Sequence, residues 1–559
     1  MGKEAVVSKK KKRQSATAPV ITAPPRPEHR DLLLIFAGAL ALRLIGLPWG
    51  LPNAEHFYSY HPDEIFLLLP SFGFLRGDWN PHFFNYGTFY IYLVGLATKA
   101  VAALGLFSLN SPDMGLLYSL GRLLTALLGA GTVALTYLIG EQLGGRRLAI
   151  GAAALLALAP LHLVNSHFAT VDVPGTFFLV LGIYACLRII YQGDLKWYLL
   201  AGAAMGLASA TKYNFGAGAL LVIFAHLLRG KVPARQHLAL LYSALFFPLF
   251  FLIGCPYFLD LAGGLHIRKE FLDGFLFEAQ HMRSMRTVSF VNTGPGWSYH
   301  LLRGFPAALG IPLYLLSVMG LAWALACRKS KEWRGLLLLA AWVVGYFVMI
   351  SFATERFIRY LAPLVPALCI FAAWLIVRLL SLPLSLRKPA LVGAGVLLTL
   401  NVAYSLAQLA LFVTPDPRDR ALAAILTMKP QKIGIQESPW FRAAPVAPFN
   451  GGAFSEASFK EWQATSPYRV VVTDWQKDIL LKEAPPVFTI GDLKYEDYLR
   501  LQAPEAKEFM RTLESSYRNE QLFRHALPLE WVGGGRANVP PDWLYLKPAV
   551  SVYSGWQHD

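Results

Sequence analysis

Charge is scarce in this chain. Of its 559 residues, 15% are Asp, Glu, Lys or Arg, where a soluble protein of this length carries about 25%. That shortage, with 55% hydrophobic residues and a mean hydropathy of +0.42, excludes an ordinary soluble enzyme. It points to a polytopic membrane protein with some soluble mass attached. Cysteine is almost missing too. Cys186, Cys255, Cys327 and Cys369 lie within or at the ends of apolar segments, and none has CxxC spacing. A disulfide framework and a thiolate metal site are therefore not expected. The sequence has no N-x-S/T acceptor and no visible short repeat.

Base exceeds acid, for a net charge of +16. The excess does not sit on the soluble part. Residues 415–559 hold 17 basic and 18 acidic residues, and residues 1–414 hold 34 and 17. A nucleic-acid binder concentrates base on a soluble surface, so no nucleic-acid partner is expected. Base in loops that orient membrane helices accounts for the pattern. Lys9 to Arg13 and the Pro/Ala/Thr stretch after them, residues 1–30, read as a disordered cytoplasmic tail. The first apolar run, Leu32 to Trp49, lacks a clear small-residue cleavage site and reads as a retained helix.

Runs of about 20 apolar residues predict about eleven transmembrane helices. They cover 32–50, 117–140, 148–168, 173–192, 195–211, 215–229, 238–256, 306–326, 335–352, 358–379 and 390–413. With the basic tail inside, the turns at Gly144-Gly145-Arg146-Arg147, Gln192–Lys196, Arg229-Gly230-Lys231, Arg328–Arg334 and Arg387-Lys388 fall on the cytoplasmic side. The other side receives a first loop at about 51–116, Asp172, the Lys212-Tyr213-Asn214 break, a long loop at about 257–305, the Glu355-Arg356 corner and the C-terminus. Tyr86–Leu106 is apolar enough to span, but spanning would put the basic loops outside. It is expected as an interfacial or re-entrant helix. Residues 31–414 thus form a membrane domain. Residues 415–559 form a small extracytoplasmic α/β domain, with a helix start at Pro415–Asp419, strands at Lys432–Gln436 and Tyr468–Thr473, and a helix at Glu496–Leu513.

The chemistry-bearing residues gather on the outer side. His61-Pro62-Asp63-Glu64 places two acids in an aromatic loop at a membrane edge, where carboxylates are costly to keep charged. One can act as a base while the other orients a partner; as a local feature Asp63 also fits a helix N-cap. Asp172 is a lone acid between two apolar runs, and it too fits a helix start, with Pro174 beside it. Lys212, Arg356 and Arg359 are cations at the same edge, suited to a lipid phosphate or to snorkelling from helix ends. Histidines 61, 162, 167, 281 and 300 lie in or near this face. One or two of them with Asp63 and Asp172 could take a divalent metal, but the spacing matches no compact motif.

Taken in order, these pieces resemble the GT-C glycosyltransferases of the protein O-mannosyltransferase and aminoarabinose-transferase type. The match rests on Tyr60–Glu64, the Gly-Arg-Arg turn at 145–147, Thr170–Pro174, Thr211-Lys212-Tyr213 and Glu355–Pro363. It covers about residues 30–415. The resemblance implies transfer of a sugar from a polyprenyl phosphate to a hydroxyl of a lipid, glycan or protein outside the plasma membrane. It implies Asp63 as general base, Glu64 as an orienting group facing an arginine, and Asp172 as a positioning acid. His61, His167, Lys212, Tyr213, Arg356 and Arg359 are candidates for holding substrate or lipid phosphate. The sequence departs from the aminoarabinose branch in the proline between His61 and Asp63 and in a longer middle loop, so sugar and acceptor stay open. A transporter would instead need broken helices and repeated halves at mid-membrane. A scaffold would be indifferent to loss of the Asp63 charge.

Overall fold

The computed structural model describes residues 29–557 except 111, 231, 261–263, 285, 286, 329, 331, 449–455, 493–500, 502, 537 and 538. The tail before His29, Lys231, Lys329 and Lys331 in the basic turns, and most of the first half of the Glu496–Leu513 helix lie outside the described residues. The rest of that helix forms as Pro504–Ser516.

The chain is a polytopic helical membrane protein carrying a C-terminal α/β domain. Among the described residues six helices are long and apolar enough to cross a bilayer: Met114–Ala157, Asp172–Tyr191, Ala234–Gly254, Trp333–Ser351, Ile358–Leu379 and Leu384–Ala410. A seventh arises if Gly296–Leu309 and Ile311–Ala326, bent by 114°, count as one span. The expected count of about eleven is not reached. Several apolar runs are real but interrupted or short. The first is helical only over His29–Leu44, Leu195–Thr211 has 17 residues, and the 215–229 run begins as a 3-10 turn at Tyr213–Gly218. The 148–168 run breaks after Ala157 and restarts as Pro160–Asn165. Broken backbone is tolerable at membrane depth where protein buries it, and Pro160–Asn165 is wholly buried.

The basic turn at 144–147 forms as expected. Met114–Ala157 is interrupted at Gly144 and Gly145, and Gly145 takes φ +75° and ψ −171°, a conformation that glycine alone adopts freely. The chain folds back so tightly that a side chain on Gly140 would lie 2.8 Å from the Ala149 backbone. Phe89–Ala103 is a 15-residue helix, shorter than the roughly 20 residues a span needs.

The C-terminal domain starts with the helix Pro417–Thr427, capped by Asp416, whose side chain accepts the Arg418 N–H at 2.9 Å. Its five-stranded sheet runs Arg469–Val472, Lys432–Ile435, Val487–Gly491, Ala549–Trp556, Tyr517–Arg524. The first three strands are parallel, and the last two add antiparallel. Both expected strands are present, and the central Val487–Gly491 strand is buried along its whole length, as strands covered on both faces are. The domain is sewn onto the first loop. Arg418 binds Asp416 at 2.7 Å, donates to the carbonyls of Phe441 and Tyr545, and lies 3.7 Å from the Tyr60 ring centroid. The Tyr60 hydroxyl donates to Asp419.

Candidate active site

Glu64 builds the corner in which Asp63 sits. It is fully buried and takes a two-pronged bond from Arg122, at 2.7 Å from Nε and 2.8 Å from Nη2. It also accepts the Ala169 N–H at 2.8 Å and the Ser59 hydroxyl. Burial pushes its carboxyl up, but Arg122 outweighs that and holds it below the ordinary range. Arg122 donates further to the carbonyls of Leu47 at 2.8 Å and Trp49 at 2.6 Å. Glu64 therefore ties the first loop, the Met114 helix and the 166–171 turn together. The orienting arginine expected opposite it is Arg122.

Asp63 precedes the Glu64–Leu68 helix but makes no capping hydrogen bond, so capping does not account for it. Its carboxylate lies 3.0 Å from Arg359 Nη1. It lines a cavity of about 320 Å³ with Asn85, Tyr86, Glu278, His281, Arg359, Tyr360 and several phenylalanines, within the size range of small-molecule sites. His61 holds the loop from behind. Its Nδ1 accepts the Asp63 N–H at 3.3 Å, and its ring packs on Phe168 and Tyr545. Burial keeps its pKa below the ordinary value, against Asp63 and Glu64.

Asp172 opens the Asp172–Tyr191 helix without capping it and pairs with Lys212 at 2.6 Å. Lys212 is the extended residue at which the Leu195–Thr211 helix ends. An acid in a first helical turn and a cation past a last turn both suit the helix dipoles. The Lys212 ammonium is 4.9 Å from the Tyr360 ring and 6.0 Å from that of Tyr86. Asp63, Asp172 and Arg359 all act electrostatically on the Tyr86 hydroxyl. The two acids thus meet around one tyrosine, each with a cation beside it. Burial first, then Asp63, raises the Tyr86 pKa well above the ordinary value, leaving the hydroxyl a donor.

The remaining residues take several places. Tyr213 directs its hydroxyl at the carbonyls of Phe84 (2.9 Å) and Tyr86 (2.8 Å), so it shapes the cavity wall. His167 is fully buried, with its ring nitrogens 2.9 Å from the Leu163 carbonyl and 3.0 Å from that of Ile45. Both nitrogens are engaged, and the ring stacks on Phe412. The structure does not bring it to the cavity. Arg356 lies apart from Arg359. It bonds Thr293 and lines a second, apolar cavity of about 490 Å³ with Trp297, Phe347, Val348 and Phe352. Phe357 stands between the two, lining the Asp63 cavity and stacking under Arg359. Glu278 and His281 arrive from the Lys269–Ser284 helix of the long loop. Burial pushes the Glu278 carboxyl up, against Lys212, His281 and Arg359.

Among the described residues no three His, Cys, Asp or Glu side chains are placed to hold a metal ion. Asp63 and Asp172 each face a cation instead, so the residues present do not fit a metal site built on that pair. Sequence reasoning missed Arg122, Tyr86, Glu278 and Asp542. Arg122 had a signal, as a lone cation inside the apolar run 117–140. Glu278 and Asp542 lie in polar segments where an acid stands out from nothing.

Residues 105–265 match the family model described as dolichyl-phosphate-mannose-protein mannosyltransferase. The chain is 27% identical over 351 residues to an uncharacterized protein of Aquifex aeolicus, covering 62% of this chain and 63% of that one. It is 26% identical over 470 residues to the undecaprenyl phosphate-alpha-4-amino-4-deoxy-L-arabinose arabinosyl transferase of Pseudomonas aeruginosa, covering 80% and 76%. Among solved structures, ArnT from Cupriavidus metallidurans bound to undecaprenyl phosphate aligns with TM-score 0.49 and 17% identity, over 95% of this chain and all of that one. The Archaeoglobus fulgidus oligosaccharyltransferase aligns with TM-score 0.47 and 13% identity, over 89% and 72%. These matches make the chain similar to membrane transferases of the protein-mannosyltransferase and aminoarabinose-transferase type.

Proposed function

We propose that this enzyme moves a sugar from a polyprenyl phosphate to a hydroxyl of a protein, glycan or lipid, with Asp63 as general base and inversion at the anomeric carbon. One observation carries the reading. Asp63 makes no capping bond and faces a cavity of sugar size, and Arg356 lines a separate apolar cavity. A prenyl chain fits the apolar cavity, and its phosphate falls to Arg356 by charge-assisted bonding. The acceptor hydroxyl gives its proton to Asp63 as its oxygen attacks the anomeric carbon. The carbon–oxygen bond to phosphate breaks, the electron pair leaves with the phosphate, and attack from the opposite face inverts the centre. A phosphate leaving group needs positive charge more than an acid. Lys212 and Arg359 pair with Asp172 and Asp63 and lend field to the leaving group, while Asp172 and the Tyr86 hydroxyl position the sugar. No step is routed through a metal.

The Arg146-Arg147 charge supports a cytoplasmic position for residues 144–147. The Asp63 corner and the C-terminal domain then face outward across the plasma membrane, with the N-terminus inside. The test is transfer from labelled polyprenyl-phosphate sugars in membranes. Asp63→Asn is expected to lose about 10²- to 10⁴-fold in turnover per folded enzyme, the usual range for a general base. Wild-type turnover in that variant would end the assignment.

A further inference from the structure

The C-terminal domain reaches the catalytic corner through one buried side chain. Pro541–Tyr545 is a short 3-10 turn. From it, Asp542 accepts the backbone N–H of Ile358 at 3.2 Å on one carboxylate oxygen and that of Arg359 at 3.4 Å on the other. These N–H groups begin the Ile358–Leu364 turn that leads into the Val365–Leu379 helix. Such first-turn donors have no partner within their own helix, and here the partner comes from a residue 184 positions away. The same turn projects the Arg359 guanidinium to Asp63, 3.0 Å away. Asp542, Arg359, His61, Asn165 and Tyr545, with apolar side chains such as Val164 and Phe168, enclose a chamber of about 10 Å³, about enough for one water.

We propose that Asp542 is a positioning residue of the active centre, supplied by the C-terminal domain and acting on Asp63 through Arg359. The inference rests on the glycosyltransferase reading. A carboxylate that grips both N–H groups fixes the direction in which Arg359 leaves the turn, and with it the place of Asp63 against the acceptor. The charged and titratable groups facing Asp542 are Arg359 from that turn, His61 from the first loop and Tyr545 from its own segment. Burial pushes the Asp542 carboxyl up to about 6, and Arg359 and the backbone donors restrain it there. Its charge, and its hold on the turn, therefore weaken as pH falls through that value.

The experiment measures sugar transfer by the full chain in membranes from pH 5 to 8, per folded enzyme, for wild type, D542N and D542E. Wild type is expected to lose kcat as pH falls through about 6. D542N mimics the protonated acid, so its kcat is about tenfold lower and flat across that range, with the donor KM within twofold. D542E keeps the charge on a longer arm, so it keeps the pH dependence and loses about threefold in kcat. A D542N profile parallel to wild type overturns the proposal, and so does a wild-type kcat in D542E should D542N fail to fold. Absence of transfer by wild type would overturn the glycosyltransferase reading and this one with it. Wild-type transfer with no change in either variant overturns this one alone.

Discussion

Breaking the Glu64–Arg122 pair from either side should damage the protein more than removing both members. Arg122 is 1% exposed and Glu64 0%. Taking away one partner leaves an uncompensated charge in a dry interior, a cost of about 3–5 kcal/mol. Arg122→Met also strands the Leu47 and Trp49 carbonyls that accept its Nη1, at about 1–3 kcal/mol each. It should be the worst single variant. Glu64→Leu leaves the Arg122 guanidinium uncompensated and strands the Ala169 N–H, so it costs more than the double variant and less than Arg122→Met. The double variant Glu64→Leu/Arg122→Met removes both charges, and an apolar pair of similar volume is often neutral relative to the ion pair. Its remaining cost is the two stranded carbonyls and the stranded Ala169 N–H, about 3 kcal/mol at the low end. Thermal unfolding midpoints in one detergent at pH 7 should therefore rank wild type first, the double variant next and Arg122→Met last. The coupling implied is several kcal/mol, far above the 0.5 kcal/mol scatter of independent sites. Additive losses would refute the reasoning. The pH dependence has a definite sign. The folded-state pKa of Glu64 is depressed, so the pair's contribution is complete above the unfolded value of about 4.3 and is lost as pH falls through the folded one.

Other outcomes follow from single contacts. Arg356→Ala should raise the donor KM by about 10-fold, one lost charge-assisted phosphate contact being worth about 1.5–3 kcal/mol, and leave the pH profile unchanged; an unchanged KM would remove Arg356 from the phosphate site. Burial pushes the Asp419 carboxyl up to about 6 against the Tyr60 hydrogen bond. An acid whose folded pKa is raised costs stability increasingly as pH climbs from about 4 to 6. Asp419→Asn, which still accepts from Tyr60, should then gain in unfolding midpoint over wild type at pH 8 but not at pH 4. A gap that does not vary with pH would contradict the burial argument. A side chain at Gly87 would meet the Ala210 carbonyl oxygen at 2.0 Å. Gly87→Ala should cost about 1–3 kcal/mol as overpacking and displace Tyr86, seen as lost turnover at low temperature where the variant is still folded.

The amino-acid sequence alone determined the class of molecule. Scarce charge, long apolar runs and a mixed-charge tail segment require membrane helices and a soluble domain, because composition dictates which solvent each segment tolerates. The Gly144-Gly145 turn was legible, since a basic glycine pair between apolar runs has no other stable place. The acids at 63 and 172 stood out because charge beside apolar runs is costly. Tertiary structure decided which carboxylate is tied and which is available. Asp63 and Glu64 are adjacent and alike in sequence, and only the buried Arg122 separates a structural tie from a candidate base. Tertiary structure also decided the helix count, because apolar length cannot show where packed helices allow the backbone to break. Arg356 and Arg359 are three residues apart yet line different cavities, and Asp542 meets Arg359 across 183 positions. Such meetings depend on long-range packing, and no local pattern of residue types encodes them.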